Sequence, residues 1–310
     1  MKTWIAHLAL LALVALIGLV VSDYHQGNLS RIMVLAVYAT GYNLLFGYTG
    51  LLSLGHAMFF AAGLYGMGLG IRFLDFGTVT GFIAGIAAGA ALAAIVGALA
   101  LRAKGVAFMI VTLMFAQAVY LSTLYFGEYT RGDEGFVLQG EERQFFGTAL
   151  SQPDLRFWVA FALFAAATLL TLAIMRRPLG KSLIAIRENE ARAQMLGYNT
   201  FQLKWTAVIL SGALSAASGA AYGLLFGYVG ASFASVQYSI FPLLWVLLGG
   251  AGTVIGPFVG TLFMFYLIDF SSGLTTAYML IAGVVLVLLT LFAPQGIIGE
   301  IRRRWFRGLP

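Results

Sequence analysis

Apolar stretches of about twenty residues recur along nearly the whole chain, and they leave it few ways to fold. They run at 5–22, 31–47, 50–71, 78–101, 105–126, 157–175 and 205–227, then as a broken apolar region at 238–269 and a last stretch at 274–293. A helix rising 1.5 Å per residue needs about 20 apolar residues to cross a bilayer. Lipid offers no partner to backbone N–H and C=O groups, so such segments close their hydrogen bonds internally as helices. The expected fold class is an all-α integral membrane protein, a polytopic helical bundle forming one transmembrane domain over residues 1–310. Charge agrees: 10% of the 310 residues are charged and 61% are hydrophobic, against roughly 25% charged in soluble domains. Residues 1–21 resemble a signal peptide, but Asp23-Tyr24-His25 lacks the small-residue cleavage pattern, so this segment is expected to stay as the first span. The absence of Cys excludes disulfides and thiolate metal sites.

The loops set the expected orientation. The longest strongly polar run, residues 176–204, carries Arg176, Arg177, Lys181, Arg187, Arg192 and Lys204. With Arg102 and Lys104 it belongs inside, because short cytoplasmic loops concentrate Lys and Arg. The loop at 127–156 is rich in Asp and Glu and belongs outside. Counting spans puts Lys2 inside, with Arg31 and Arg72 as two exceptions left outside. The net charge of +6 is thus gathered in a few loops, which reports topology and points to no nucleic-acid partner. Arg302, Arg303, Arg304 and Arg307 also belong inside, so an odd number of crossings must follow residue 228. Gly249, Gly250, Gly252, Gly256 and Pro257 divide the 238–269 region into halves. Either both halves cross, or the pair dips in and returns; each solution needs a helix break within the membrane.

Two further patterns stand out. GYNLLFGYTG at 41–50 echoes AYGLLFGYVG at 221–230 across an odd number of spans, as an inverted repeat would. Within 176–204, good helix formers from Lys181 to Leu196 mix apolar and charged residues, and Gly197 supplies a stop. One amphipathic helix at the membrane surface is expected there, a coupling loop for a soluble partner.

No catalytic constellation appears. His7, His25 and His56 lie apart from acids at any metal-ligand spacing, and no GxxxxGK[ST] loop is present to bind ATP. Asp269 lies near a span end, where a membrane-face position is inexpensive. Asn43, Ser53 and His56 bracket the first irregular junction and Ser239 lies at the second, so these four are candidates for a weakly binding translocation surface. His56 is equally placed for a structural hydrogen bond.

The segments GYNLLFGYTGLLSLGHAMFFAAGLY (41–65), KGVAFMIVTLMFAQ (104–117), TRGDEGF (130–136), PLGKSLIAIRENEARAQMLGYNTFQLK (178–204), LSGALSAASGAAYG (210–223), SFASVQYSIFPLLWVLLGGAGTVIGPFVG (232–260) and PQGIIG (294–299) resemble one family. It is the permease subunit of ATP-driven (ABC) importers for branched-chain amino acids, and the AIRENE string at 185–190 favours its M-type member. The resemblance implies a non-enzymatic subunit of the bacterial inner membrane, with both termini cytoplasmic. It implies a second homologous permease, two cytoplasmic ATPase subunits that hold the ATP and Mg, and an extracytoplasmic solute-binding protein. Leu183, Ile186, Arg187, Glu188, Glu190, Ala191, Leu196 and Gly197 then form the coupling element, although Arg192 stands where the family's motif commonly has a second alanine. Relatives carrying urea, short amides or other small solutes are the alternative substrates. A stand-alone ion-coupled secondary transporter is the rival of a different class, and it would need an intramembrane coupling acid that the sequence does not offer.

Single cysteines introduced into the Cys-free chain test the orientation. A membrane-impermeant maleimide applied from outside should label position 141 and leave position 187 unlabelled, and external labelling at 187 would overturn the scheme.

Overall fold

The computed structural model describes residues 2–145 and 147–305; Arg307, one of the C-terminal arginines expected inside, lies outside them. The first half holds α1 (Lys2–Val20), α2 (Asp23–Asn43), α3 (Ala57–Leu74), α4 (Thr78–Ala100) and α5 (Val106–Tyr125). The acidic loop holds α6 (Gly127–Thr130) and strands β1 (Phe136–Val137), β2 (Gln144–Phe145) and β3 (Thr148–Ala149). Then come α7 (Pro153–Arg176), α8 (Pro178–Glu188), α9 (Glu190–Met195), α10 (Thr200–Phe226), β4 (Tyr228–Val229), α11 (Val236–Gly249), α12 (Gly256–Ser272), α13 (Tyr278–Phe292) and α14 (Gly296–Trp305). Among the described residues six helices, α2 (with its π-helical extension Leu44–Tyr48), α3, α4, α5, α7 and α10, are long and apolar enough to cross a membrane. The strands are two-residue pairs, β1 with β4 and β2 with β3, and they tie the acidic loop together. The fold is the all-α polytopic bundle expected from the sequence.

Helix α10 is the centre of the bundle, and small residues bring its neighbours close. Gly89 and Gly85 of α4 face Ala216 and Ala220, while Gly63 of α3 abuts the backbone of Ala216. Contacts along each pair fix the directions. Gly41 meets Ser211 and Arg31 meets Phe226, so α2 and α10 are antiparallel. Phe59 lies by Gly212 and Met67 by Gly223, so α3 runs with α10; Gly97 against Val208 and Gly85 against Ala220 make α4 antiparallel to it. Asn43 meets Thr253 and Tyr24 meets Asp269, so α12 opposes α2. Gly249 against Gly256 and Gly260 against Trp245 make α11 and α12 antiparallel.

The regions 102–104, 176–204 and α14 therefore share one side of the bundle, the basic side, and 127–152 lies on the other, the acidic side. Of the two solutions for the broken region, the structure fits the one in which both halves cross: the 250–255 turn sits on the basic side, with Gly252 beside Arg187 of α8 and Gly250 against Gly296 and Gly299, while Asp269 of α12 meets Tyr24 on the acidic side. Among the described residues ten helices thus alternate in direction, and the first and last helices in chain order, α1 and α14, meet the basic side. The two sequence exceptions to the charge rule, Arg31 and Arg72, rest on aromatic faces at the acidic side, Arg31 on Phe226 at 5.0 Å and Arg72 on Phe136 at 5.0 Å.

The two echoed segments occupy matching places, at the ends of the antiparallel helices α2 and α10. Each is followed by a non-α-helical connection, 49–56 after α2 and 227–235 (holding β4 and a 3-10 turn at Ala231–Ala234) after α10, and then by a helix that starts inside the bundle, α3 or α11. This is the inverted-repeat topology. It also corrects the span expected at 50–71, because the helix begins only at Ala57.

Gly249 and Gly260 are where α11 and α12 cross. A Cβ on Gly260 would stand 1.9 Å from the Trp245 carbonyl oxygen, and one on Gly249 would stand 1.8 Å from that of Gly256. Gly260→Val should therefore destabilise the purified protein by at least about 1–3 kcal/mol. The readout is a lowered unfolding midpoint and loss of monodisperse protein on size exclusion. Gly283→Val, at a glycine with nothing within 4 Å, should leave both unchanged.

Candidate coupling and translocation elements

The surface element is built by local rules. Pro178 begins α8, where its missing N–H costs nothing. Gly180 lets α8 fold onto the end of α7, since a Cβ there would lie 2.4 Å from the Met175 Cα. The sequence led to one helix from Lys181 to Leu196, but the structure has two. Asn189 is extended, and its Oδ1 accepts from the Arg192 N–H at 2.9 Å, capping α9 and ending α8. Gly197, at φ +86°, ends α9. Its N–H reaches the Gln194 carbonyl and that of Tyr198 reaches Ala193, the paired bonds of a Schellman stop.

Burial divides the coupling residues named from sequence. Leu183 and Ile186 are buried in this chain's own core and so anchor α8 rather than offering apolar contact to a partner. Arg187, Glu188, Ala191 and Gly197 are exposed and Glu190 is partly so. The exposed apolar surface is Met195 (81%) and Leu196 (72%), flanked by Ile184 and Tyr198. Glu190 accepts from the buried Lys204 Nζ at 2.6 Å and from Thr200, which binds α9 to the first turn of α10. Partial burial pushes the Glu190 carboxyl up, but Lys204, Thr200 and the charge of Lys104 together hold it below the usual carboxylate range.

One side chain of this element reaches both helix breaks. Arg187 donates from Nη1 to the Gly47 carbonyl in the π-helical turn. Its Cγ lies 3.0 Å from where a Cβ on Gly50 would stand, and its Nη1 lies 2.9 Å from that position at Gly252. Asn43 joins the same breaks from beneath: Nδ2 donates to the Thr253 carbonyl at 2.8 Å, and Oδ1 accepts from the Gly252 N–H at 2.9 Å. The 250–255 turn carries Gly250 and Gly252 at positive φ, and Gly256-Pro257 restarts the helix. A cleft of about 410 Å³ opens between residues 49–52, the start of α5 and the Arg187–Glu190–Lys204 group.

The other candidates lie deeper. Ser239 Oγ of α11 accepts from the Ala57 N–H, the first of α3, at 2.9 Å. His56 Nε2 meets Ser211 Oγ at 2.6 Å, and Ser211 donates to the Gly41 carbonyl at 2.6 Å, near the middle of the 27-residue α10. Ser53 Oγ accepts from the Gly55 N–H at 3.2 Å. Asn43, Ser53, His56 and Ser239 are all at most 1% exposed. In this conformation all four are taken up by hydrogen bonds around the broken backbone. Asp269 is exposed and accepts from the Tyr24 hydroxyl at 3.2 Å. Sequence reasoning missed Asn189, Ser211 and Thr253; Asn189 was readable as a cap before Glu190, whereas the other two acquire their roles only through long-range contacts.

A family model described as branched-chain amino acid transport system, permease component, matches residues 26–293. The chain belongs to this permease family. It is 28% identical, over 87% of its length and 69% of the relative's, to the high-affinity branched-chain amino acid transport system permease protein LivM of Escherichia coli (strain K12). The LivM protein of Salmonella typhimurium (strain LT2) is 27% identical over the same shares. A probable branched-chain amino acid transport permease protein LivM of Methanocaldococcus jannaschii is 29% identical over 41% of each chain. No solved structure matches. The chain is therefore a membrane-embedded transport subunit and not an enzyme, one component of a larger transport system.

Arg187→Ala should free both breaks while leaving α8 anchored by Leu183 and Ile186. Loss of a charge-assisted hydrogen bond of about 1.5 kcal/mol should raise amide exchange in 47–52 and 250–255 by about tenfold. Glu188→Ala, on the exposed side of the same helix, is the control and should change nothing in a hydrogen-exchange mass spectrum.

Proposed function

We propose that the chain is one of two paired permease subunits of an ATP-driven importer for branched-chain amino acids. Its basic side faces the cytoplasm, where two ATPase subunits dock on α8 and α9, and its acidic side receives solute from an extracytoplasmic binding protein. The substrate comes from the names of its relatives. The observation that carries the coupling role is the reach of Arg187 from the surface element to the Gly47 turn and the Gly252 turn. The buried Leu183 and Ile186 and the Glu190–Lys204 pair make that element stiff, so a push on its exposed face moves the breaks rather than bending the element. Met195 and Leu196 supply the apolar contact for a docking cleft, and burying two such side chains is worth about 3–6 kcal/mol.

The test is leucine uptake by proteoliposomes holding the complete complex. Uptake should require ATP and the binding protein. Leu196→Asp should abolish coupled uptake without changing amide exchange at 47–52, because that residue touches the partner and not the breaks. Solute movement by this chain alone, driven by an ion gradient, would instead favour a secondary transporter.

A further inference from the structure

Three arginines converge on the acidic side, and among the described residues none of them forms an ion pair with a carboxylate. Arg31 of α2 lies 5.0 Å from the centre of the Phe226 ring and Arg156 of α7 lies 5.7 Å from it. Arg143 donates from Nη1 to the Leu224 carbonyl at 3.0 Å, and its guanidinium packs where a Cβ on Gly227 would stand. All three thus surround the C-terminal end of α10. Capping that end uses only part of their charge, because a helix terminus carries about half a negative charge. The neighbouring acids are otherwise engaged: Asp154 accepts from Gln26, and Glu142 accepts from the Gln139 N–H. Neither forms an ion pair with the cluster among the described residues. The Nε atoms of Arg143 and Arg156 are buried with no hydrogen-bond partner. Burial holds the Arg143 guanidinium below its ordinary pKa and the charge of Arg156 adds to this, with the nearby Glu142 carboxylate offsetting part of it. Guanidinium groups crowded like this are completed by an acceptor that presents two oxygens in one plane.

The cluster also leads inward. From Phe226 a run of rings passes through Tyr222 at 4.7 Å, Phe233 at 5.1 Å and Tyr238 at 5.1 Å, ending against Tyr38 at 5.9 Å. Tyr238 immediately precedes Ser239, the residue that caps α3 at the meeting point of the two broken helices. Tyr222, Phe226, Phe233 and Tyr238 are each only partly buried by this chain.

We propose that Arg31, Arg143 and Arg156 form a carboxylate-binding vestibule that takes the carboxylate of a small aliphatic amino acid and lays its side chain along the aromatic run from Phe226 to Tyr238. This rests on the importer reading and adds the part of the solute that the permease recognises. A single small carboxylate suits the site better than an acidic protein surface, because the guanidiniums gather at one helix end, two over the Phe226 ring and Arg143 beside Gly227, instead of spreading along a face. It also gives Arg31, a charge on the wrong side for orientation, a reason to be there.

The test uses the full chain in lipid nanodiscs and saturation-transfer NMR with two probes of equal carbon number and the same branched end, isovalerate and isopentylamine. Isovalerate should bind and isopentylamine should not, a comparison that needs no variant. Arg31→Gln and Arg156→Gln should each weaken isovalerate binding by about tenfold, the value of one charge-assisted hydrogen bond, and Arg31→Lys should keep part of it. Arg72→Gln, outside the cluster, should bind as the unmodified chain does. Equal binding of both probes overturns the vestibule, as does unchanged isovalerate binding in both Gln variants. It is also overturned if the variants weaken capture of the solute-free binding protein while isovalerate binding stays intact, because the arginines then meet acids of that protein. Any of these results alongside ATP-dependent leucine uptake by the complete complex would sink the vestibule alone. Loss of ATP dependence in the unmodified complex would sink the importer reading instead.

Discussion

A backbone polar group left unpaired in hydrocarbon costs several kcal/mol, and this bundle interrupts helices inside the membrane. The rest of the structure is arranged around satisfying those interruptions. Pro242 within α11 has no N–H for the Tyr238 carbonyl, and the Tyr38 hydroxyl reaches it at 3.2 Å. The first N–H of α3 goes to Ser239 and the turn between α11 and α12 is stitched by Asn43. Ser211 and Ser218 of α10 donate to the α2 carbonyls of Gly41 and Val34. Polar side chains that look like a transport path in sequence are taken up by this task.

The same requirement makes the breaks movable. A continuous helix resists bending because its ladder of hydrogen bonds is complete, whereas segments held by a few side-chain bonds have discrete alternatives. Gly47, Gly50 and Gly252 leave room for Arg187 to sit between the two breaks, and any Cβ at these positions would crowd it or the surrounding backbone. In the proposed coupling, the surface helix anchored by Leu183 and Ile186 and carrying Arg187 serves as a lever on these breaks.

Opposite this lever lies an acidic side with a basic heart. Orientation depends on Lys and Arg counted over loops, so an arginine embedded at the far side runs against the trend and needs a local reason. Aromatic faces at Phe226 and Phe136 provide that reason for Arg31 and Arg72, since a guanidinium over a ring keeps favourable electrostatics away from bulk water.

The sequence by itself determined the helical class, the approximate spans, the basic and acidic sides, the Gly249–Pro257 interruption and the stop at Gly197. These follow from local physics: apolar length, loop charge, and the backbone freedom or restriction of Gly and Pro. It left two routes through 238–269, which the seat of the 250–255 turn beside Arg187 and Gly296 decided. It also read 181–196 as one helix, because good helix formers on both sides outweighed the local cap signal of Asn189 before Glu190. Which face of α8 turns inward, which polar side chains are consumed by broken backbone, and which arginines meet at the end of α10 were settled by tertiary structure. Most of these join residues tens to hundreds of positions apart, and no local pattern records which partner will be there.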